Sequence, residues 1–183
     1  MIRFHEDPNA LTPSFYAADE VSHVDQNDVA ALQRLSLESG EASRYNLHNE
    51  PSDDLHSMVI LQPRGAYAQP RKHMTKSKVF QLVSGKMAVI VFDDSGTVTS
   101  VHRLAADETL VVRIAPNLFH TNVSLSDQAV YHEIIAGPYI RESNDRVYAA
   151  FAPVGGEQSA GLAFVEKALQ GVRPVRAWES IRP

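Results

Sequence analysis

The sequence predicts an all-β fold, and three observations lead to this prediction. From about residue 56, short runs of β-branched and aromatic residues replace the mixed polar texture of the preceding chain. Turn signals separate these runs at Ser84–Lys86, Asp93–Gly96 and Ala115–Asn117. The runs recur at roughly the 8–12-residue spacing of sandwiches and barrels, without the alternating helices of a parallel sheet. We therefore expect a single barrel of antiparallel strands.

Two helices are predicted to flank the strands. Residues 27–38 carry apolar side chains at helical spacing, Asp25 or Asn27 can cap the start, and Gly40 can end the helix. A second short helix is expected over 160–170. Between them, the candidate strands are 56–62, 66–72, 78–84, 86–93, 97–104, 109–114, 119–124 and 128–135.

This pattern divides the chain into three parts. Residues 1–24 carry scattered prolines and no clean period, so we expect an irregular N-terminal arm. Residues 25–153 should form the barrel with its preceding helix. Residues 154–183 should form a helical C-terminal extension, whose tail through Trp178 is expected to pack back onto the barrel or a neighbouring subunit.

Composition excludes several classes of function. The chain has no cysteine, so a disulfide framework, a thiolate metal site and a cysteine nucleophile are ruled out. The net charge of −5 gives no basic surface for nucleic acid. No apolar run approaches the roughly 20 residues needed to cross a bilayer, and the first residues lack a signal-like apolar stretch, so we expect a cytoplasmic protein.

The stretch from Gly65 to Gly85 carries the most informative pattern. Five residues separate Gly65 from Arg71, His73 follows two positions later, Lys78 comes after four more residues, and Gly85 after a further six. This stretch resembles the first motif of the cupins, in which His-x-His and Glu occupy the positions of Arg71, His73 and Lys78. Only one of the three metal ligands of that motif is therefore present.

Further segments narrow the resemblance. Residues 114–121 are similar to the second cupin motif, with His120 at its ligand position. Over residues 25–153 the chain resembles the WbuC-type cupin-fold metalloproteins, small bacterial proteins often associated with surface-polysaccharide gene clusters. The matching pieces are Arg44, Asn46 and His48, then Tyr67, Pro70 and His73, then Phe92, Asp93 and Gly96, then Phe119-His120-Thr121 and Gly137-Pro138-Tyr139.

The resemblance implies a jelly-roll-like cupin barrel, a homodimer and a pocket for a small molecule. It also implies a divalent transition metal, for which His73 and His120 are the remaining candidate ligands. Arg44, Asn46 and His48 would border the pocket mouth, and the alternative is that they only cap a turn or bind the barrel rim. Tyr67 would lie on the first strand of the pocket, and Glu133, rather than the adjacent His132, would face inward. The link to surface polysaccharides comes from the resemblance alone.

The two changed positions alter the chemistry expected of the pocket. A guanidinium stays protonated and has no lone pair for a metal, and Lys78 ligates only when it is deprotonated. Arg71 and Lys78 should instead make the pocket cationic. Together with His73 and His120, they predict a site for an anionic carbohydrate or carboxylate, because arginine forms paired hydrogen bonds with such groups.

Two other interpretations remain open at this point. Arg71 and Lys78 pair with an acidic neighbour such as Glu133 in one of them, so that the former site holds only a structural ion pair. In the other, a metal held by His73, His120 and Glu133 supports an enzyme that acts on a carbohydrate-like substrate. No serine-nucleophile, phosphate-loop or dinucleotide-binding motif is present in the sequence.

Overall fold

The computed structural model describes residues 3–8, 10, 12–140 and 145–171. Within them it contains twelve strands and two helices. Their bounds are β1 (Phe4–Glu6), β2 (Ser14–Ala17), α1 (Gln26–Ser39), β3 (Ser43–Asn46), β4 (Leu55–Pro63), β5 (Arg71–His73), β6 (Lys78–Ser84), β7 (Met87–Phe92), β8 (Val98–Leu104), β9 (Val111–Ile114), β10 (Phe119–Ser124), β11 (Gln128–Ala136), β12 (Arg146–Tyr148) and α2 (Gln158–Gln170).

The strands form two sheets with jelly-roll connections. One sheet has the order β1-β2-β3-β4-β11-β6-β9, and the other has the order β12-β5-β10-β7-β8. The eight strands from β4 to β11 pair only in antiparallel fashion within the sheets and are shared equally between them. This is the double-sheet arrangement of a jelly roll. The predicted all-β barrel is therefore confirmed.

Apolar side chains fill much of the space between the sheets. Phe80, Val89, Leu104 and Tyr131 belong to one buried cluster to which strands of both sheets contribute. Because successive side chains of a strand point to opposite faces, every second residue enters this core. Burial of these side chains removes a large apolar area from water and is the main force that holds the sheets together.

Helix α1 covers the outside of the larger sheet, and its ends follow the sequence signals. The Asp25 carboxylate accepts hydrogen bonds from the backbone N–H groups of Asn27 and Asp28, and Gly40 ends the helix with a φ of 71°. Leu32 is fully buried in a cluster between the helix and the sheet. The predicted helix is confirmed, with a start one residue before 27.

The N-terminal segment differs from the expected irregular arm, because two strands extend the larger sheet there. β2 runs parallel to β3, with Ser14 opposite Arg44 and Tyr16 opposite Asn46. Such a short strand at the margin of a sheet carries too few residues to show an alternating pattern in the sequence. Its consequence is that Ser14 and Tyr16 join the residues of β3 at the candidate site.

The strand predicted over 66–72 is wrong for most of its length, since only Arg71–His73 pair in a sheet. Pro70 has no N–H for a ladder, and side chains hold the preceding loop instead. The Thr121 hydroxyl donates to the Ala68 carbonyl at 2.6 Å. The Tyr67 hydroxyl donates to the Pro153 carbonyl at 2.7 Å.

Tyr67 is buried in a second apolar cluster, between the smaller sheet and α2. A Cβ atom at Gly161 of α2 would lie 2.1 Å from the Tyr67 ring, so the helix approaches the ring very closely. The predicted helix over 160–170 is confirmed. Neither helix of the described chain has the length and apolar character to cross a bilayer. The tail that we expected to pack back lies outside the described residues.

Candidate functional site

A cavity of about 320 Å³ opens among the polar residues of the barrel interior. Seven of the nine residues predicted to form the site line it. The exceptions are Tyr67, which the packing beneath α2 removes from the site, and His120, which is buried but does not line the cavity. The seven are Arg44, Asn46, His48, Arg71, His73, Lys78 and Glu133.

Strand alternation explains why these side chains meet. On β5, Arg71 and His73 point to the cavity, whereas Lys72 between them faces outward and pairs with Asp94 at 2.7 Å. On β11, Glu133 faces the cavity. The neighbouring His132 points away from it and contacts the Ser57 hydroxyl at 2.7 Å.

Lys78 and Glu133 form a buried ion pair at the cavity. The Lys78 Nζ lies 3.0 Å from the Glu133 Oε1, and their side chains are 3% and 9% exposed. Burying either charge alone is costly, so each requires the other. The hypothesis of a purely structural ion pair required an acidic partner for both Arg71 and Lys78. The structure provides that partner for Lys78.

Burial and the nearby Arg71 both act on the pKa values of this pair. Burial, with the charge of Arg71, lowers the pKa of Lys78 to about 8 against the opposing effect of Glu133. Burial raises the pKa of Glu133, but the charges of Lys78 and Arg71 outweigh it and hold that pKa below its usual value. The cavity lining as a whole includes five lysines and arginines against three carboxylates.

Arg71 has no partner for its guanidinium among the described residues, although the side chain is partly buried in the cavity wall. A guanidinium carries five N–H donors, which bind carboxylates and phosphates in pairs. The amide nitrogen of Asn46, a residue that is 2% exposed, is also buried without an acceptor. The Arg71 guanidinium therefore offers unused donors to a molecule that enters the cavity, whereas the Asn46 amide nitrogen is enclosed by protein atoms.

His73 is held in one orientation by a carboxylate. Its Nδ1 lies 3.0 Å from the Asp145 Oδ2, so Nδ1 carries the proton and donates it. Asp145 also accepts from the backbone N–H and the hydroxyl of Thr75. Burial, together with the charge of Lys78, lowers the pKa of His73 to about 4. His73 is therefore neutral near pH 7, with a lone pair on Nε2.

His120 is also neutral, and one of its nitrogens is isolated. Its Nδ1 donates to the Leu118 carbonyl at 2.9 Å, which leaves the lone pair on Nε2. That atom is buried and has no hydrogen-bond partner in the described structure. Burial, with the charge of Lys78, lowers the pKa of His120 to about 3. In the antiparallel register of β10 and β5, His120 lies opposite Arg71.

The cavity mouth combines arginine with aromatic rings. The Arg146 guanidinium lies 5.1 Å from the Tyr139 ring centroid and 5.5 Å from that of Tyr148, and it donates to the Tyr139 hydroxyl at 2.9 Å. On the opposite side, the Arg44 Nε donates to the Ser14 hydroxyl at 2.7 Å. These two arginines are therefore positioned by neighbours, unlike Arg71.

Two stacked histidines complete one wall. The rings of His48 and His56 lie 4.1 Å apart at an angle of 11°, and Tyr16 meets His48 edge-on at 5.3 Å. The His56 Nε2 donates to the Pro51 carbonyl at 3.1 Å. Burial, and then the proximity of His56, lowers the pKa of His48 to about 4. This wall is uncharged near pH 7.

The sequence did not predict several of these residues. Arg146 and Tyr148 face the cavity because β12 pairs with β5, which places Arg146 opposite His73 and Tyr148 opposite Arg71. In the sequence, these two residues are marked only by their positions on either side of Val147. A strand of three residues is too short for such an alternating pattern to be recognised. The stacking of His56 on His48 has no sequence signal, because it depends on the pairing of β3 with β4.

The residues present do not fit a cupin metal centre. His73 and His120 supply two imidazoles, and no group of three histidine or acidic side chains in the described residues is placed to hold a metal. The Glu133 carboxylate is already paired with Lys78, and the charges of Lys78 and Arg71 repel a divalent cation. We therefore derive no chemistry from a bound metal.

The buried histidines predict a loss of stability in acid. The pKa values of His48 and His73 lie near 4 and that of His120 near 3 in the folded protein, below the ordinary 6.5. The unfolded chain therefore binds more protons below pH 6.5, and the free energy of unfolding should fall by on the order of 3 kcal/mol for each of these histidines between about pH 6.5 and 4. Above pH 6.5 this contribution is fully present.

Urea unfolding at a series of pH values, followed by circular dichroism, measures this loss. The His120→Gln variant should show a shallower slope below pH 6.5. The His102→Gln variant, on the face of β8 opposite the buried Val101, is the matched control and should keep the parent slope. Equal slopes in all three proteins would contradict the assignment of the loss to His120.

Comparison with known proteins gives a limited result. A model for a domain of unknown function, DUF6016, matches residues 27–104, which is less than half of the chain. No curated protein matches the sequence significantly. The family match runs from α1 to β8, so it contains Arg71 and Lys78 but not His120 or Glu133.

Solved structures provide distant likenesses. The capsular polysaccharide assembling protein CapF from Staphylococcus aureus is 18% identical over 58% of this chain and 28% of its own, with a TM-score of 0.49. KdgF from Halomonas sp. is 18% identical over 56% of this chain and 84% of its own, with a TM-score of 0.44. The cupin domain of Cnp3 from Schizosaccharomyces pombe is 16% identical over 52% of this chain and 60% of its own, with a TM-score of 0.42. Such likenesses say nothing about activity or ligand, and the match to CapF spans less than a third of that protein.

The fold is decided by the strand order together with the placement of the motif residues. The first-motif positions lie on β5 and β6, the second-motif His120 lies on β10, and all of them point into the jelly roll. The chain has a cupin-type fold. The narrower WbuC-type resemblance stays a prediction.

Proposed function

We propose that this cupin-fold protein binds a small anionic molecule, a carboxylate or an acidic carbohydrate, in the cavity beside Arg71. The observation that carries the proposal is the Arg71 guanidinium, which is partly buried and without a partner among the described residues. A buried charge without a partner is costly, so a counter-charge from outside the chain would stabilise the site.

The surroundings of Arg71 support an anion over a cation or a neutral molecule. The nearby Glu133 carboxylate forms an ion pair with Lys78, so the positive charge of Arg71 is left over. The cavity volume of about 320 Å³ suits a ligand of the size of a sugar acid.

Isothermal titration calorimetry tests the proposal with a panel of pyruvate, citrate, glucuronate, galacturonate and inorganic phosphate. Glucose and galactose are the neutral counterparts of the two sugar acids. We expect at least one anion to bind, and its neutral counterpart to bind at least roughly 10-fold more weakly, because a hydrogen bond to a charged group contributes about 1.5–3 kcal/mol.

Substitution of Arg71 should then weaken binding of that anion. Arg71→Ala should cost roughly 10–100-fold in affinity, and Arg71→Lys should lie between, since lysine keeps the charge but loses the paired donors. Arg103→Ala is the matched control, because it removes the same charge from an exposed position on β8. Binding that is unchanged in Arg71→Ala, or no binding by any anion of the panel, would refute the proposal.

A role in surface-polysaccharide metabolism and a homodimeric state, which the WbuC-type resemblance implies, belong to the same proposal. Binding of a sugar acid but not of pyruvate or citrate would support the carbohydrate link. Sedimentation velocity of the free and ligand-bound protein would test the dimer.

A further inference from the structure

The buried lysine of the cavity has an environment that favours reactivity. Lysine side chains normally keep their ammonium groups in water. Lys78 instead is 2% exposed, and it borders the cavity rather than the outer surface. Its Nζ lies 3.0 Å from the Glu133 Oε1, a carboxylate that can accept a proton from it.

The groups around Lys78 favour the deprotonated, neutral form of its amine. Burial and the neighbouring charges of Arg71 and Arg146 lower its pKa to about 8, against the effect of Glu133. The other titratable groups near it, His73 and His120, are neutral near pH 7. Lysines that are desolvated beside another cation act as nucleophiles toward carbonyl groups.

We propose that Lys78 forms an imine with the carbonyl carbon of a 2-oxo carboxylate whose carboxylate group is bound by Arg71. This inference rests on the proposed function, because it uses the same cavity and names the class of its ligand. A 2-oxo carboxylate matches the two groups, since its anionic end and its reactive carbonyl are adjacent atoms and both residues line one cavity.

The atoms of the step balance without another reactant. The Lys78 ammonium first transfers a proton to Glu133, and the free amine nitrogen then attacks the carbonyl carbon. The carbonyl oxygen becomes a hydroxyl and takes up protons from the amine and from Glu133 before it leaves as water. The products are a protonated imine and one water molecule, Glu133 is again a carboxylate, and nothing is oxidised or reduced.

Reductive trapping tests the inference on the parent protein. The protein is incubated with pyruvate and sodium cyanoborohydride, which reduces an imine to a stable secondary amine, and is then analysed by intact mass and peptide mapping. We expect one adduct per chain, on Lys78. Acetone, a ketone without the carboxylate, should react much more slowly, and Arg71→Ala should reduce the rate with pyruvate toward that with acetone.

Two lysine variants act as controls. Lys72→Arg changes a lysine on the outward face of β5 and should leave trapping unchanged. Lys78→Arg keeps the positive charge but has no amine that can form an imine, so it should not be trapped. If Lys78→Arg fails to fold, the peptide map of the parent protein still decides the outcome.

Three results would overturn the inference. Adducts distributed over surface lysines, or an adduct on Lys76 at the cavity rim, would show that Lys78 is not the nucleophile. Pyruvate binding by calorimetry without trapping would refute the imine and leave the anion-binding proposal intact. Failure of every anion of the binding panel, together with failure of trapping, would refute both.

Discussion

Replacement of Glu133 by leucine should destabilise the protein by roughly 3–5 kcal/mol, because it leaves the buried Lys78 ammonium without its counter-ion. The partner is 3.0 Å away and its side chain is 9% exposed, so the Lys78 ammonium depends on it for most of its charge compensation. Addition of Lys78→Met to Glu133→Leu should recover most of the loss, since an apolar pair of similar volume often replaces a buried ion pair at little cost.

Chemical unfolding of the two single variants and the double variant, arranged as a double-mutant cycle, measures this coupling. The pair of Lys72 and Asp94 is the control, because the carboxylate that is removed is 80% exposed, although the Lys72 side chain is 12% exposed. Asp94→Leu should cost less than about 1 kcal/mol, as is usual for ion pairs in contact with water. If the losses of unfolding free energy in the two single variants simply add up in the double variant, the two charges do not stabilise each other.

The double substitution Arg71→His with Lys78→Glu should create a metal site. It would place three imidazoles and a carboxylate around the interior, because Arg71 lies opposite His120 across two strands and His73 shares its face of β5. It would also remove the two cations that repel a divalent ion. Complete zinc ligand sets bind with apparent free energies of roughly 10 kcal/mol or more, so near-stoichiometric metal is expected.

Elemental analysis of protein purified without a polyhistidine tag, followed by zinc titration, measures this gain. The single variant Arg71→His keeps the Lys78 ammonium and should gain little. A folded double variant that binds no metal would show that these four positions do not converge on one point. Stoichiometric metal in the parent protein would instead favour the alternative of a metal-dependent enzyme and count against the anion site.

The sequence predicted correctly the features that depend on residues close together in the chain, and it failed where residues distant in the chain decide the structure. Helix α1 was predicted because its cap at Asp25 and its end at Gly40 are local, and both are present in the structure. The turn at Asn117 was predicted for the same reason, and this residue has a φ of 61°. The strand over 66–72 was mostly wrong, because side chains distant in the sequence hold that loop.

The site residues show the same difference between local and long-range interactions. Arg71, His73 and Lys78 were placed together because their spacing within one motif matched a known barrel. Tyr67 was misplaced because the loop before β5 turns its ring beneath α2, which the motif does not describe. Arg146 was missed because its position depends on the pairing of β12 with β5.

The sequence by itself determined the barrel class, the flanking helices and the replacement of two metal-ligand positions by cations, since alternation, capping and motif spacing are local properties. Only the tertiary structure decided which cation is paired. Lys78 and Glu133 are 55 positions apart and meet through the antiparallel pairing of β6 with β11. That pairing leaves the partly buried Arg71 as the surplus charge, because Glu133 is the ion-pair partner of Lys78.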